Sequence, residues 1–196
     1  MSTVIVSVTA DGTPVAEADL RDGGIEDAVA ESRRVGARVL WAYGVDLETQ
    51  GFRRVGGYTR LKADDAPLGI ELPAIRDPEL LLRLYVEGYR GIWGHKQLDL
   101  DAAVALAERP ELVHLVLGEI GLCRVDTVAR LIDAPGIVTE ERTVGRYVEL
   151  VGAAGFALGG GHAELESWGD RDETLAAYEA LGYAVVQRIQ GFELPL

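Results

Sequence analysis

Gly161-His-Ala-Glu-Leu-Glu-Ser-Trp-Gly169, and after twelve further residues Gly182-Tyr-Ala-Val-Val-Gln-Arg-Ile-Gln-Gly-Phe-Glu-Leu194, form the stretch whose reading decides the fold. It has an earlier echo. Gly36-Ala-Arg-Val-Leu-Trp-Ala-Tyr-Gly44 is followed after only six residues by Gly51-Phe-Arg-Arg-Val-Gly-Gly-Tyr-Thr-Arg-Leu61. Each copy reads as a strand ending at aromatic-Gly, a helix, a Gly-aromatic stop and a closing hairpin. The first copy has lost six residues of its helix. Two unequal copies in one chain suggest that one keeps a site and the other a packing role.

The 196 residues suffice for a sizeable core, with 48% hydrophobic and 26% charged side chains. No apolar run approaches the roughly 20 residues that span a bilayer, so no membrane partner is expected. Met-Ser-Thr-Val-Ile-Val-Ser-Val is a strand pattern without a basic leader, and the expected compartment is the cytoplasm. A net charge of −13 and only two lysines, Lys62 and Lys96, argue against nucleic acid, whose phosphates need clustered cations. Such a field favours a cationic ligand such as an amine. The single Cys123 excludes an intrachain disulfide, and His95, His114 and His162 lack ligand spacing, so no metal is expected.

Outward from the repeat, Thr3–Thr9 and Val15–Leu20 read as a hairpin, and Ile25–Arg34 as a helix. The Pro-punctuated segment 62–77 reads as the linker between units 1–64 and 65–196. Asp77-Pro78-Glu79 starts a helix, and a second begins near Leu100 and stops before Pro110. Strands Glu111–Leu117, Glu119–Val125 and Ala129–Val138 follow, the last bent at Ala134-Pro135-Gly136. Helix Val144–Leu158, strand Ala163–Ser167, helix Asp172–Leu181 and a hairpin over Tyr183–Leu194 complete a mixed α/β unit of order ααβββαβαββ.

That order, with two motifs, resembles the GNAT (Gcn5-related N-acetyltransferase) superfamily. Tyr178-Glu-Ala-Leu-Gly-Tyr183 is similar to the family's Leu-Tyr-Glu-Lys-x-Gly-Phe. Ile137-Val-Thr-Glu-Glu-Arg142-Thr-Val-Gly145-Arg-Tyr147 is similar to Val-x-Pro-Glu-x-Arg-x-x-Gly-x-Gly/Ala, the end of strand four plus the pyrophosphate loop. The match covers about 68–196, and residues 1–61 look like the later half of a second unit, a tandem layout of the mycothiol synthase kind with its first unit cut short. The resemblance implies a GNAT fold, acetyl-CoA as cosubstrate and transfer to a primary amine. Two departures stand out. Thr139 replaces Pro, and Tyr147 stands where the family keeps Gly or Ala so that cofactor and backbone approach closely. In the first unit Arg21-Asp-Gly-Gly24 is followed by Glu26 and Asp27, which oppose a pyrophosphate, and Leu47 replaces Tyr178.

The resemblance and the chemistry converge on one set of residues. A loop that hands its amides to a helix N-terminus is an anion seat, and Arg142, Thr143, Val144, Gly145, Arg146 and Tyr147 have that form. By the resemblance, backbone groups of Ile137, Val138 and Thr139 meet pantetheine, and Tyr178 protonates the leaving thiolate. The base is sought among Glu166 and Glu164, which share one face of a strand with Trp168, with Glu119 and Asp133 as rivals. The first unit is expected to buttress the second by packing sheet against sheet, and its truncated edge could be covered by a second copy in a homodimer. A second reading stays open, in which Tyr147 and the cut-down first unit mark a GNAT-fold binding module that no longer catalyses.

Overall fold

In the computed structural model, which describes residues 4–9, 12–133, 135–169 and 172–196, the chain builds one mixed sheet flanked by helices. The N-terminal part runs β1 (Val4–Val8), β2 (Pro14–Asp19), α1 (Ile25–Arg34), β3 (Val39–Tyr43), a 3-10 turn (Leu47–Gln50) and β4 (Arg53–Ala63). After β5 (Ala74–Ile75) come α2 (Pro78–Gly88), α3 (Leu100–Glu108), β6 (Leu112–Leu117), β7 (Gly121–Asp126), β8 (Leu131–Ile132) and β9 (Gly136–Ile137). The chain closes with α4 (Val144–Ala157), β10 (Ala163–Trp168), α5 (Asp172–Ala180) and β11 (Ala184–Pro195). Local signals place the helix starts. Asp77 accepts from the amides of Glu79 and Leu80 at 2.9 and 3.2 Å with Pro78 at the first helical position, and Thr143 caps α4 through the Arg146 amide at 3.3 Å.

The strand order is β1-β2-β3-β11-β4-β10-β8-β7-β6-β5, with β9 on β7. The two closing hairpins expected from sequence are each a single long strand instead. β4, from the first repeat copy, lies between β10 and β11 of the second; β11 lies between β3 and β4 of the first. The register is reciprocal: Arg53, first in β4, faces Glu193 near the end of β11, and Ala184, first in β11, faces Lys62 near the end of β4. Steps at Val185/Gln187 and Gly191/Phe192 take up the mismatch as bulges.

The cores follow the exchange. Leu61 and Ala63 of β4 are buried among α4, α5 and β10 with Leu150, Leu165 and Tyr178. Phe192 of β11 is buried under α1 with Leu40, Ala42 and Phe52. The halves therefore join edge to edge in one sheet, and the expected face-to-face packing of two sheets does not occur. The segment read as a linker also contributes β5, which pairs with β6 through Ala74 and Ile75.

Candidate functional site

One gap in the sheet separates the two copies. In the first, β2 and β3 pair in parallel at every step from Val15–Val39 to Asp19–Tyr43, leaving no opening. In the second, β10 pairs with β8 only at Glu164–Leu131 and Leu165–Ile132. Ala134, where a bend was expected, lies outside the described residues; after it the chain continues as β9 on β7, and among the described residues no strand pairs with Ser167 and Trp168 on that side. The Val138 amide donates to the Ile120 carbonyl at 2.9 Å. Backbone groups alternate along a strand, so Ile137 turns its own carbonyl toward the gap.

Side chains fill this gap from both faces. From the α2–α3 face, Tyr89 lies so close to Gly136 that a Cβ there would sit 2.8 Å from its ring. His95 stacks on Tyr89 with centroids 3.9 Å apart, and Trp168 stands beyond at 6.5 Å from His95. Burial, with Arg124 and Arg142 near, pushes His95 down to about 3, so it is neutral at ordinary pH. From the α4–α5 face, Tyr147 and Tyr178 are 0% and 1% exposed in one cluster with Ile137 and Leu165, residues of the two diverging banks. The Tyr178 hydroxyl shares a hydrogen bond with Ser167 of β10, and burial raises its pKa well above the ordinary phenol value.

The loop before α4 divides in two. Thr143 spends its side chain on the Arg146 amide, while Val144 and Gly145 are exposed and nothing lies within 4 Å of where a Gly145 Cβ would be. The first helical amides have no partner within a helix, so this end fits an anion. Arg142 points elsewhere: its Nε donates to the Ile137 carbonyl at 2.7 Å, and its Nη2 to the carbonyls of Gly88 and Arg90 at 3.0 and 2.8 Å. Arg146 pairs with Glu149 at 3.3 Å. Thr139, in a 3-10 turn with Glu140 and Glu141, links β9 to this loop. Of the loop residues expected at the cosubstrate, Val144 and Gly145 are thus exposed, Tyr147 is buried and Arg142 is held by backbone carbonyls.

The four carboxylates also separate. Glu164 is bound to Arg60 at the surface, Asp133 to Arg124, and Glu119 lies exposed 3.6 Å from Arg83. Glu166 instead accepts from the Tyr58 hydroxyl at 2.7 Å. It lines a cavity of about 350 Å³ with Tyr43, Tyr85, His95 and Trp168, a cavity that the ion-paired Asp133 and Arg124 also line. Burial and this carboxylate raise the Tyr58 pKa. Tyr58, Tyr89 and His95 were not singled out from sequence for this place. Tyr58 arrives through the strand exchange, opposite Trp168, and no local signal in the sequence points to it. Cys123 is fully buried, and its pKa is raised by burial. Among the described residues no His, Cys, Asp or Glu group is placed to hold a metal, and no helix is long and apolar enough to cross a membrane.

No protein-family model and no curated protein sequence matches this chain. Crystal structures do. A candidate acetyltransferase of Pyrococcus horikoshii superposes with a TM-score of 0.65 at 11% identity, over 100% of this chain and 69% of that one. A GCN5-related N-acetyltransferase of Sphaerobacter thermophilus gives 0.58 at 15% identity, over 99% and 76%. Another from Kribbella flavida gives 0.55 at 12%, over 100% and 56%. The chain has the GCN5-related N-acetyltransferase fold. At such identities the GNAT likeness is one of architecture, and it covers the whole length of the chain.

Proposed function

We propose that this GNAT-fold protein is an N-acetyltransferase that moves an acetyl group from acetyl-CoA to the primary amine of a small molecule by direct attack in a ternary complex. The observation that carries it is the divergence of β9 from β10 with the Tyr178 hydroxyl bonded to Ser167 at its edge. In this reading Val144 and Gly145 amides seat the pyrophosphate, with Arg146 beside them, and Ile137, Val138 and Thr139 flank the pantetheine. The amine nitrogen attacks the thioester carbonyl, the C–S bond breaks, and Tyr178 gives its proton to the departing sulfur. Glu166, oriented by Tyr58, takes the proton from the amine. Glu164 and Arg60 remain a surface pair.

Acetyl-CoA must displace the Tyr147 ring and release Arg142 from Ile137. Exposing an aromatic side chain costs about 1.5–3 kcal/mol, which the binding of a large cosubstrate can exceed. The first copy, with β2 and β3 fully paired, is the inert, truncated member of a tandem and supplies β4 and Tyr58. The reading includes a cytoplasmic location, no nucleic-acid or membrane partner, and a homodimer through β1, whose Ile5 and Val6 are exposed at the sheet edge.

Tyr147 in the core and Arg142 on internal carbonyls favour a second reading, a GNAT-fold module whose cleft is permanently filled. Thermal shift with acetyl-CoA separates the two. Stabilisation of the wild-type protein supports the enzyme, and its absence at millimolar ligand leaves the module.

A further inference from the structure

A second cavity, of about 440 Å³, lies over the part of the sheet that α1 does not cover. Its walls come from both copies and from the connection between α2 and α3: Val15 and Trp41 on β2 and β3, Arg54 and Val55 on β4, and Trp93 and His95 on the connection. That connection spans the sheet to its β1 edge, where the Gln97 amide donates to the Val8 carbonyl at 2.8 Å and Lys96 bridges to Thr9. Trp93 is fixed on the sheet because Gly191 has no side chain; a Cβ there would lie 2.6 Å from the indole. Trp41 and Trp93 meet at 5.6 Å with planes tilted by 50°.

The polar groups of this cavity are few and unequal. Arg53 is neutralised by Glu193. Arg54 lies at the rim, exposed, and makes no ion pair among the described residues. Trp93 is 94% buried (6% exposed), yet its indole N–H has no hydrogen-bond partner, and neither has Nε2 of His95, which is 9% exposed. A buried indole N–H ordinarily finds an acceptor, and both residues line this cavity, so a bound molecule or its water can offer a partner to each. The volume falls in the range of small-molecule sites, which are apolar pockets with a few placed polar groups.

We propose that this cavity binds a small, flat apolar molecule bearing one anionic group, a carboxylate or a phosphate, with its body against Trp41 and Trp93 and its charge at Arg54. The guanidinium fork suits both anions. The cavity shares Tyr89 and His95 with the gap, but Trp41, Trp93 and Arg54, which hold the proposed ligand, take no part in acetyl transfer. Its walls exist because the first copy lacks helices on this face, so the connection between α2 and α3 covers the sheet incompletely.

Isothermal titration of the full chain with phenylacetate, phenyl phosphate and neutral phenylacetamide tests the proposal. At least one anion should bind at one per chain and at least tenfold more tightly than the amide, and which one does so identifies the headgroup. Arg54→Gln should erase that preference while leaving the weak amide affinity, and Arg54→Lys should keep part of it. Acetyl-CoA is titrated separately into the same wild-type chain, so failure here and failure of the acetyl-CoA reading are distinguishable. Equal affinity for anion and amide, a preference that survives Arg54→Gln, or no binding of any of the three overturns it.

Discussion

Arg142 Nε donates to the Ile137 carbonyl at 2.7 Å, so the side chain offered by the motif for a pyrophosphate instead closes the backbone edge beside it. The contact ties the loop before α4 to β9, and through Gly88 and Arg90 to the end of α2. Arg142→Ala should loosen this closure. Hydrogen bonds from a charged donor contribute about 1.5–3 kcal/mol each, so chemical denaturation should register a loss of at least that order. Unchanged stability would show that the three carbonyl contacts carry no energy.

Tyr178 is assigned the proton for the departing sulfur. Tyr178→Phe should lower kcat by about 10²–10⁴-fold, the range of general acid catalysis, with little change in the KM for acetyl-CoA. A rise in KM alone, with kcat preserved, would reject the acid role.

Glu166 and Glu164 sit two residues apart on one face of β10 but have different partners, Tyr58 and Arg60. Glu166→Gln should reduce kcat/KM for the amine at least tenfold. Glu164→Gln should change it little, since exposed ion pairs contribute about 0–1 kcal/mol. The reverse order of effects would move the base to Glu164.

Phe192 carries the consequence of strand exchange, because it belongs to the second copy and is buried in the core of the first. Phe192→Ala should cost about 3–5 kcal/mol and shift one cooperative unfolding transition as a whole. Two separate transitions, only one of them shifted, would show that the halves fold independently.

His95 is held neutral by burial, with Arg124 and Arg142 adding to the effect, and its pKa falls from 6.5 to about 3. Above pH 6.5 both folded and unfolded chains carry it uncharged. As the pH falls from 6.5 toward 3, the unfolded chain binds a proton that the folded chain refuses, and stability drops by up to about 1.4 kcal/mol per pH unit. Urea unfolding of wild type and His95→Gln at pH 7, 5.5 and 4.5 should show the variant losing less stability on acidification; parallel losses would contradict a buried neutral imidazole.

Much of this was legible in the residues. Asp77-Pro78 and Thr143 announce helix starts by chemistry within three residues, and the two short apolar runs either side of Gly118 announce β6 and β7. The exchange was not legible, because Arg53–Ala63 and Ala184–Pro195 have the same local pattern whether they fold back as hairpins or run straight into a neighbour. Only long-range pairing decides between these, and it also brings Tyr58 to Glu166 and puts Phe192 beneath α1. The loop before α4 could be located from Arg142 and Gly145. The direction of the Arg142 side chain could not, since it depends on carbonyls of Gly88 and Arg90 more than fifty residues earlier.

The most direct test measures acetyl-CoA binding to wild type and to Tyr147→Ala, by calorimetry and by thermal shift. Removing the buried ring should cost the free protein about 3–5 kcal/mol, and ligand at 100 times its dissociation constant should return about 2.7 kcal/mol. The account expects wild type to bind and the variant to bind at least tenfold more tightly, because no ring has to leave. No binding to either protein at millimolar acetyl-CoA would contradict it, leaving the divergence of β9 from β10 as a feature of the fold and not a cleft.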